Sequence, residues 1–399
     1  MLRTVAKIGA WIGRGAADLW LALGVALVAF AVMEGGYRAV SGGPGGRRSS
    51  SVDSTQHPYA NAPWWVRYQG AAGLASRQNQ FDPYRGHWAR PSTSEFVKVD
   101  SLGRRVVAQP QAWRDAPRKV FMLGGSALWG VTARDSFDIP SLTAASLGAL
   151  GVGPVEVVNL AQAAYNSTQE LNTLALELAR GRVPVVAVFF DGYNDIATAW
   201  KYGEPGHTYG DEAIDQQIRL GNRGFWAELA GLGRHSAVLG RLGNALGIIE
   251  TPPGVRGAPV EICGPVAKYY RRVATLVQEM AAKEGFRVAY FLQPVHVSTA
   301  KRLTAWEQHL PKQRSLAACM TSIDSAMADR RGSVFFPLVD LFDQDSATVF
   351  VDENAHITED ANRKVAARIA ATIAPWLATA ATPPAVVTRP GRPSGSGPP

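Results

Sequence analysis

The residues best suited to chemistry in this chain stand just after short apolar runs. "FMLGGSALWG" (121–130) ends such a run with two glycines and Ser126. By itself that pattern fits a nucleophile or an ordinary turn, because strand-to-helix turns carry Gly and Ser for steric reasons. Three further stretches bear on the choice: "NLAQAAYNS" (159–167), "DGYND" (191–195) and "FVDENAHITEDANRKVAARIA" (350–370), which holds His356. A serine is a weak nucleophile until a base takes its proton, and the base needs a partner that fixes its tautomer. His356 suits the base, and Asp352 or Glu353 suits the partner. Charge developing on a carbonyl oxygen needs donors already in place, and Asn194 with nearby backbone N–H groups can supply them.

These stretches need a scaffold that brings them together. Apolar runs rich in β-branched and aromatic residues recur at 120–123, 155–160, 185–190, 288–292 and 334–338. Each is too short for a helix, and helical patterns lie between them at 139–150, 168–179 and 266–284. Alternation of this kind predicts an α/β fold, a doubly wound, flavodoxin-like parallel sheet of about five strands. In such sheets ligands bind beyond the carboxyl ends of the strands, where the four stretches fall.

In those four blocks and their order, the sequence resembles the SGNH (GDSL-like) hydrolases over roughly residues 119 to 375. The nucleophile block matches "GGSALWG", giving Ser126; the Gly-x-Asn-Asp block matches Gly192-Tyr193-Asn194-Asp195; the histidine block matches "DENAHIT", giving His356. The family's glycine block matches "NLAQAAYNS", with its donor glycine falling on Ala164. The resemblance implies a three-layer esterase fold, with an oxyanion hole built from the Ser126 and Ala164 N–H groups and the Asn194 side chain. Two departures stand out. Ala164 keeps the N–H but adds a methyl group, which tightens the pocket or constrains the backbone. The family's Asp three residues before the histidine is Glu353 here, with Asp352 four before, and the two remain alternatives.

Composition narrows the partners. The 399-residue chain carries a formal net charge of +8, but without a basic stripe interleaved with aromatics, a recognition-helix pattern or zinc-finger spacing, so nucleic acid is not an expected partner. No metal-ligand spacing surrounds Cys263 and Cys319, and the implied chemistry needs no metal or organic cofactor. The two cysteines form either a disulfide closing a long loop or two buried thiols. The first turn fits neither phosphate-binding glycine pattern.

The run 19–33, preceded by Arg3, Lys7 and Arg14, predicts a transmembrane helix or signal anchor over 16–36, with residues 1–15 cytoplasmic and the rest exported. A cleaved signal peptide ending near Ala29-Phe30-Ala31 is the rival reading and gives the same address. A Gly/Ser-rich linker (37–60), an aromatic-rich lead-in (61–118), the hydrolase domain (119–378) with an insertion at 196–262, and a Pro/Gly-rich tail (379–399) complete the expected organisation. With this address, the resemblance to the SGNH hydrolases implies a short acyl ester, such as O-acetyl, on an extracytoplasmic or surface polysaccharide as the substrate. An O-acyltransferase using the same residues and a non-catalytic glycan-binding protein are the alternatives.

Four further features have two readings each. His296 lines the cleft or is structural; Trp129 and Tyr193 wall the site or belong to the core; Asn166-Ser167-Thr168 is a glycosylation sequon, or Thr168 caps a helix.

Overall fold

The computed structural model describes residue 20 and residues 24–36, 54–77, 79–211 and 260–379. Residues 24–36 are helical, with Val25, Leu27, Val28, Val32 and Met33 exposed. Among the described residues, no helix is long and apolar enough to cross a membrane. Residues 1–19 and 21–23, which include the start of the expected anchor, most of the linker, residues 212–259 of the 196–262 insertion and the tail beyond 379 lie outside the described residues.

The described residues from 54 to 211 and from 260 to 379 form one compact unit, built on a parallel sheet. Its strands are β5 (Lys119–Gly124), β6 (Glu156–Asn159), β7 (Val186–Asp191) and β8 (Arg287–Leu292), in the spatial order β6-β5-β7-β8. This is the doubly wound order expected of alternating strands and helices. The register Val120↔Val157, Val120↔Val186 and Phe189↔Tyr290 aligns the apolar runs side by side. Side chains alternate along a strand, so the sheet feeds two cores. Val120, Met122, Val186, Val188 and Phe291 face one side with Ile139, Leu147, Val365 and Ile369. Phe121, Leu123, Ala187, Phe189 and Tyr290 face the other with Leu174, Val266, Tyr270 and Ile323. Helices cover both faces, which explains why the strands read as continuous apolar runs.

The fifth expected strand, 334–338, is not a full strand. It runs beside β8 through Tyr290 N–H to Val334 O (2.7 Å), Phe336 N–H to Tyr290 O (2.7 Å) and Leu338 N–H to Leu292 O (3.0 Å), bridging at Tyr290↔Phe335. The tight turn at 331–335 precedes it, and Pro337, which has no N–H to offer a further neighbour, sits on its outer course.

The connecting helices begin where the sequence supplies caps. In α3 (Ile139–Ala149) the Asp138 carboxylate accepts the Ser141 N–H at 3.0 Å, with Pro140 in the first turn. The helix α4 (Ser167–Ala179) is capped by Asn166, whose side chain accepts the Gln169 N–H. Thr168 lies inside that helix with its hydroxyl 3.0 Å from the Tyr269 hydroxyl, so the expected Thr168 cap moves two residues earlier, to the Asx side chain with the longer reach. Cys263 and Cys319 form a disulfide joining α6 (Cys263–Glu284) to α7 (Arg314–Ala326) across 56 residues of sequence.

Within this unit the aromatic lead-in contributes α1 (Trp65–Arg77), the hairpin β1 (Asn79–Asp82)–β2 (Gly86–Ala89) and the short antiparallel pair β3 (Ser92–Thr93)–β4 (Lys98–Val99). The Tyr68 hydroxyl lies 2.7–2.9 Å from the carbonyl oxygens of Gly130, Val131 and Ala133. Fully buried Arg105 donates to the carbonyls of Trp129, Gly130 and Ala133 and pairs with Asp135. Lead-in side chains thereby satisfy the carbonyls of the loop after Ser126, which would otherwise be buried without donors.

Candidate active site

Strand β5 runs into two glycines, Gly124 and Gly125, that leave no free space for a side chain. A Cβ on Gly124 would lie 2.6 Å from the Phe190 carbonyl, and one on Gly125 would lie 2.1 Å from Asn194 Nδ2. The chain then turns into the short helix α2 (Ser126–Trp129), stopped by Gly130 in the left-handed region at φ 94°. Ser126 is thus held at the carboxyl edge of the sheet.

The histidine arrives on a hairpin from the far end of the sequence. Phe350 bridges Ile357, and Val351 N–H donates to His356 O at 2.9 Å. In the turn, Asp352 Oδ1 accepts the N–H of Asn354 (2.9 Å) and of His356 (3.4 Å), and Ala355 takes φ 63°. That folds the Asp352 carboxylate back onto its own histidine. His356 Nδ1 is 2.6 Å from Asp352 Oδ2, and His356 Nε2 is 2.7 Å from Ser126 Oγ. A carboxylate can only accept, so Nδ1 carries the ring proton and Nε2 is left to accept from the serine. Of the two carboxylates left open by sequence, Asp352 is the one in contact; Glu353 acts on the ring through its charge.

Buried groups brace this hairpin. The Lys301–Glu307 pair is fully buried, and Glu307 Oε1 accepts the N–H of Val349 (2.8 Å) and Phe350 (3.1 Å). The Trp306 indole donates to the carbonyls of Phe350 and Val351, and Thr132 donates to Ile357 O at 2.8 Å. The Tyr193 hydroxyl donates to Asn354 Oδ1 at 2.9 Å. Tyr193 and Trp129 are both buried, Tyr193 tied to the hairpin and Trp129 lying under the Arg105 guanidinium. His296 is also structural: it is buried, its Nε2 lies 3.0 Å from Pro311 O, and its ring packs against Phe350.

Burial pulls the His356 pKa down, but the Asp352 charge and hydrogen bond outweigh it, with Glu353 adding, and the net shift is upward from the ordinary 6.5. Burial raises Asp352, and the His356 ring and the two backbone N–H groups overcome that, leaving the carboxylate below its usual range.

Of the expected oxyanion donors, Asn194 lies against the nucleophile turn, beside Gly125. Asn194 stands in the first turn of α5 (Tyr193–Tyr202), after Gly192 at φ 114°. One hydrogen of its amide goes to Tyr165 O at 2.7 Å, which leaves the second available beside Gly125. The N–H groups of Ser126 and Ala164 have no hydrogen-bond acceptor among the described residues. Ala164 sits at φ 64°, a left-handed conformation that glycine adopts freely and alanine adopts at a cost of about 1–2 kcal/mol. The backbone at Ala164 is thus strained, and its N–H is free of a backbone acceptor among the described residues.

Gly125→Ala gives a direct test of this packing. The added methyl would displace the Asn194 amide while leaving Ser126 and His356 in the sequence. Loss of one such donor costs about 100- to 1,000-fold in kcat. That is the drop expected in ester turnover, with KM changed far less; a variant as active as wild type would remove Asn194 from the site.

No protein-family model matches the chain, and no curated protein matches it. Solved structures do. The chain is similar to the acetyl xylan esterase AlAXEase, with 13% identity over 64% of this chain and 99% of that one, at a TM-score of 0.36. It is similar to Est24, a carbohydrate acetylesterase from Sinorhizobium meliloti, with 13% identity, 65% and 99% coverage and a TM-score of 0.36. A member of the lipolytic G-D-S-L family from Veillonella parvula matches with 10% identity, 64% and 96% coverage and a TM-score of 0.33.

Sequence reasoning named Ser126, Ala164, Asn194, His356 and, as alternatives, Asp352 and Glu353. It missed Gly125 as the neighbour of the Asn194 amide, Tyr193 as the tie to the histidine hairpin, and a buried trio of carboxyls behind the site. The last comprises Glu170, Asp191 and Asp195, at 0%, 2% and 5% exposure. A Gly-Gly-Ser at the end of a strand was a usable signal for Gly125; the other two depend on distant contacts.

Proposed function

We propose that this protein is a serine esterase of the SGNH type, acting outside the cytoplasmic membrane on short acyl esters, with O-acetyl groups of a polysaccharide as the expected class. The observation that carries the chemistry is the unbroken line Asp352–His356–Ser126, with contacts of 2.6 and 2.7 Å.

Neutral His356 accepts the Ser126 proton at Nε2 as Oγ attacks the ester carbonyl carbon. Asp352 holds the Nδ1 proton and balances the imidazolium that forms. The carbonyl oxygen gains charge against the Ser126 N–H, the Ala164 N–H and the Asn194 amide. His356 then gives its proton to the leaving alcohol, and the same ring activates a water that releases the acid from the acyl-serine.

The address rests on other features. Arg3, Lys7 and Arg14 before the apolar run favour export of the chain beyond it, through an N-terminal anchor or a cleaved leader. The Cys263–Cys319 disulfide favours an oxidising compartment.

Purified protein is expected to hydrolyse p-nitrophenyl acetate and to be labelled by a fluorophosphonate on the peptide containing Ser126. A folded protein with neither turnover nor labelling would overturn the reading in favour of a binding role. Release of free acetate from an acetylated polysaccharide, measured with and without a sugar acceptor, separates hydrolysis from acyl transfer.

A further inference from the structure

Ala164 raises a physical problem. An L-residue at φ 64° is strained, so a backbone N–H on such a residue is a dependable donor only if the surrounding structure holds the peptide in place. The peptide that carries the Ala164 N–H also carries the Ala163 carbonyl, and in a trans peptide the two point in opposite directions. Whatever fixes the Ala163 oxygen therefore aims the Ala164 N–H.

The group on the Ala163 oxygen is His87, in strand β2, with Nε2 at 2.8 Å. A carbonyl only accepts, so His87 must donate from Nε2. We infer that His87 is a positioning residue of the oxyanion hole, orienting the Ala163–Ala164 peptide so that the strained Ala164 N–H faces the substrate oxygen. This rests on the esterase reading and assigns the lead-in hairpin a role in that site.

Its own surroundings keep His87 in place. The Tyr165 hydroxyl donates to His87 O, and the two rings meet edge to face at 5.1 Å. Two residues along β2, Ala89 N–H donates to Gln162 Oε1 (3.1 Å), and Gln162 Nε2 donates to Gly103 O (2.9 Å). Residues 162, 163 and 165 are thus each tied to the lead-in, leaving Ala164 no room to relax. Tyr165 also connects the two side donors, because its carbonyl accepts from Asn194. A hydrogen bond on a peptide oxygen polarises the peptide and strengthens its N–H as a donor. Burial lowers the His87 pKa, and the Ala163 carbonyl and Asp82 only partly oppose this, which favours the neutral ring.

The test compares side chains with and without a donor at this reach. His87→Phe keeps a ring against Tyr165 and loses the donor; His87→Gln restores an N–H at similar length. With p-nitrophenyl acetate, His87→Phe is expected to lower kcat about 10- to 100-fold with KM within about twofold, as for a small displacement of a transition-state donor. His87→Gln is expected to recover most of the loss. His87→Met, also without a donor, replaces His87→Phe should that variant not fold. Wild-type kcat in a folded donorless variant, or equal losses in His87→Gln and His87→Phe, would overturn the inference while leaving the esterase reading intact. A wild type with no turnover and no labelling at Ser126 would remove both.

Discussion

Asp352→Asn is expected to lower kcat for p-nitrophenyl acetate by about 10,000-fold, the scale of loss when a triad carboxylate is neutralised in place. Glu353→Gln is expected to stay within about threefold of wild type, since a neighbouring charge not hydrogen-bonded to the ring contributes little. The reasoning is geometric. Asp352 Oδ2 is the acceptor for His356 Nδ1, and an asparagine there can present its N–H₂ to the ring, which forces the proton onto Nε2 and leaves no base facing Ser126. Glu353 acts on the ring by a coulombic effect. The pH profile carries a second readout. The base must be neutral, and His356 titrates above the ordinary 6.5, so kcat/KM should fall on acidification with a midpoint above that value. Glu353→Gln should move the midpoint slightly down. Equal collapse of both variants, or collapse of Glu353→Gln alone, would reassign the carboxylate.

The choice between those two carboxylates shows where sequence reading stops. Ser126, Asn194 and His356 were legible because each sits in a short stretch fixed by a strand end or a helix start. The orienting acid depends on how the turn from 352 to 355 closes, and that is set by Ala355 at φ 63° and by the Asn354 and His356 N–H groups both reaching Asp352 Oδ1. Spacing alone does not encode this. The sheet was legible for a similar reason: four of the five apolar runs became strands because both faces are covered. The run at 334–338 met the same pattern but lay at the edge, with Pro337 in it. Contacts such as His87 to Ala163 and Tyr193 to Asn354 join residues 76 and 161 positions apart, and their residue types carry no local periodicity.

The buried carboxyl trio has the largest consequence for stability. Asp191 and Asp195 lie in "DGYND" and Glu170 in a helix, yet the three are buried close enough to act on one another. Ser167 donates to Asp195 through its hydroxyl (2.5 Å) and its N–H (3.2 Å), and Tyr270 donates to Asp191. No Lys or Arg pairs with any of the three among the described residues. The other groups facing them are the neutral Tyr290, and Arg330, which acts on Tyr290. Burial, and then the mutual repulsion of the acids, pushes Asp191 up to about 7, burial pushes Asp195 to about 6, and the same causes as for Asp191 hold Glu170 well above its usual range.

Linkage gives the sign. Unfolded, these acids lose their protons near pH 4; folded, they keep them to pH 6–7 or beyond. Their contribution is therefore fully present below pH 4 and is lost as pH rises through the folded values. At about 1.4 kcal/mol per pH unit for each retained proton, the folding free energy should fall by on the order of 4 kcal/mol between pH 5 and pH 8 from Asp191 and Asp195 alone, with Glu170 adding to the fall. Glu170→Gln removes one acid without changing the shape and supplies an amide that can donate to Asp191. It is expected to flatten that slope and to be more stable than wild type at pH 8, against the usual result of altering a buried polar residue. Urea unfolding of both proteins at pH 5 and pH 8 measures the difference. A Glu170→Gln protein with an unchanged slope, or one less stable at both pH values, would mean that the trio does not hold its protons in the fold.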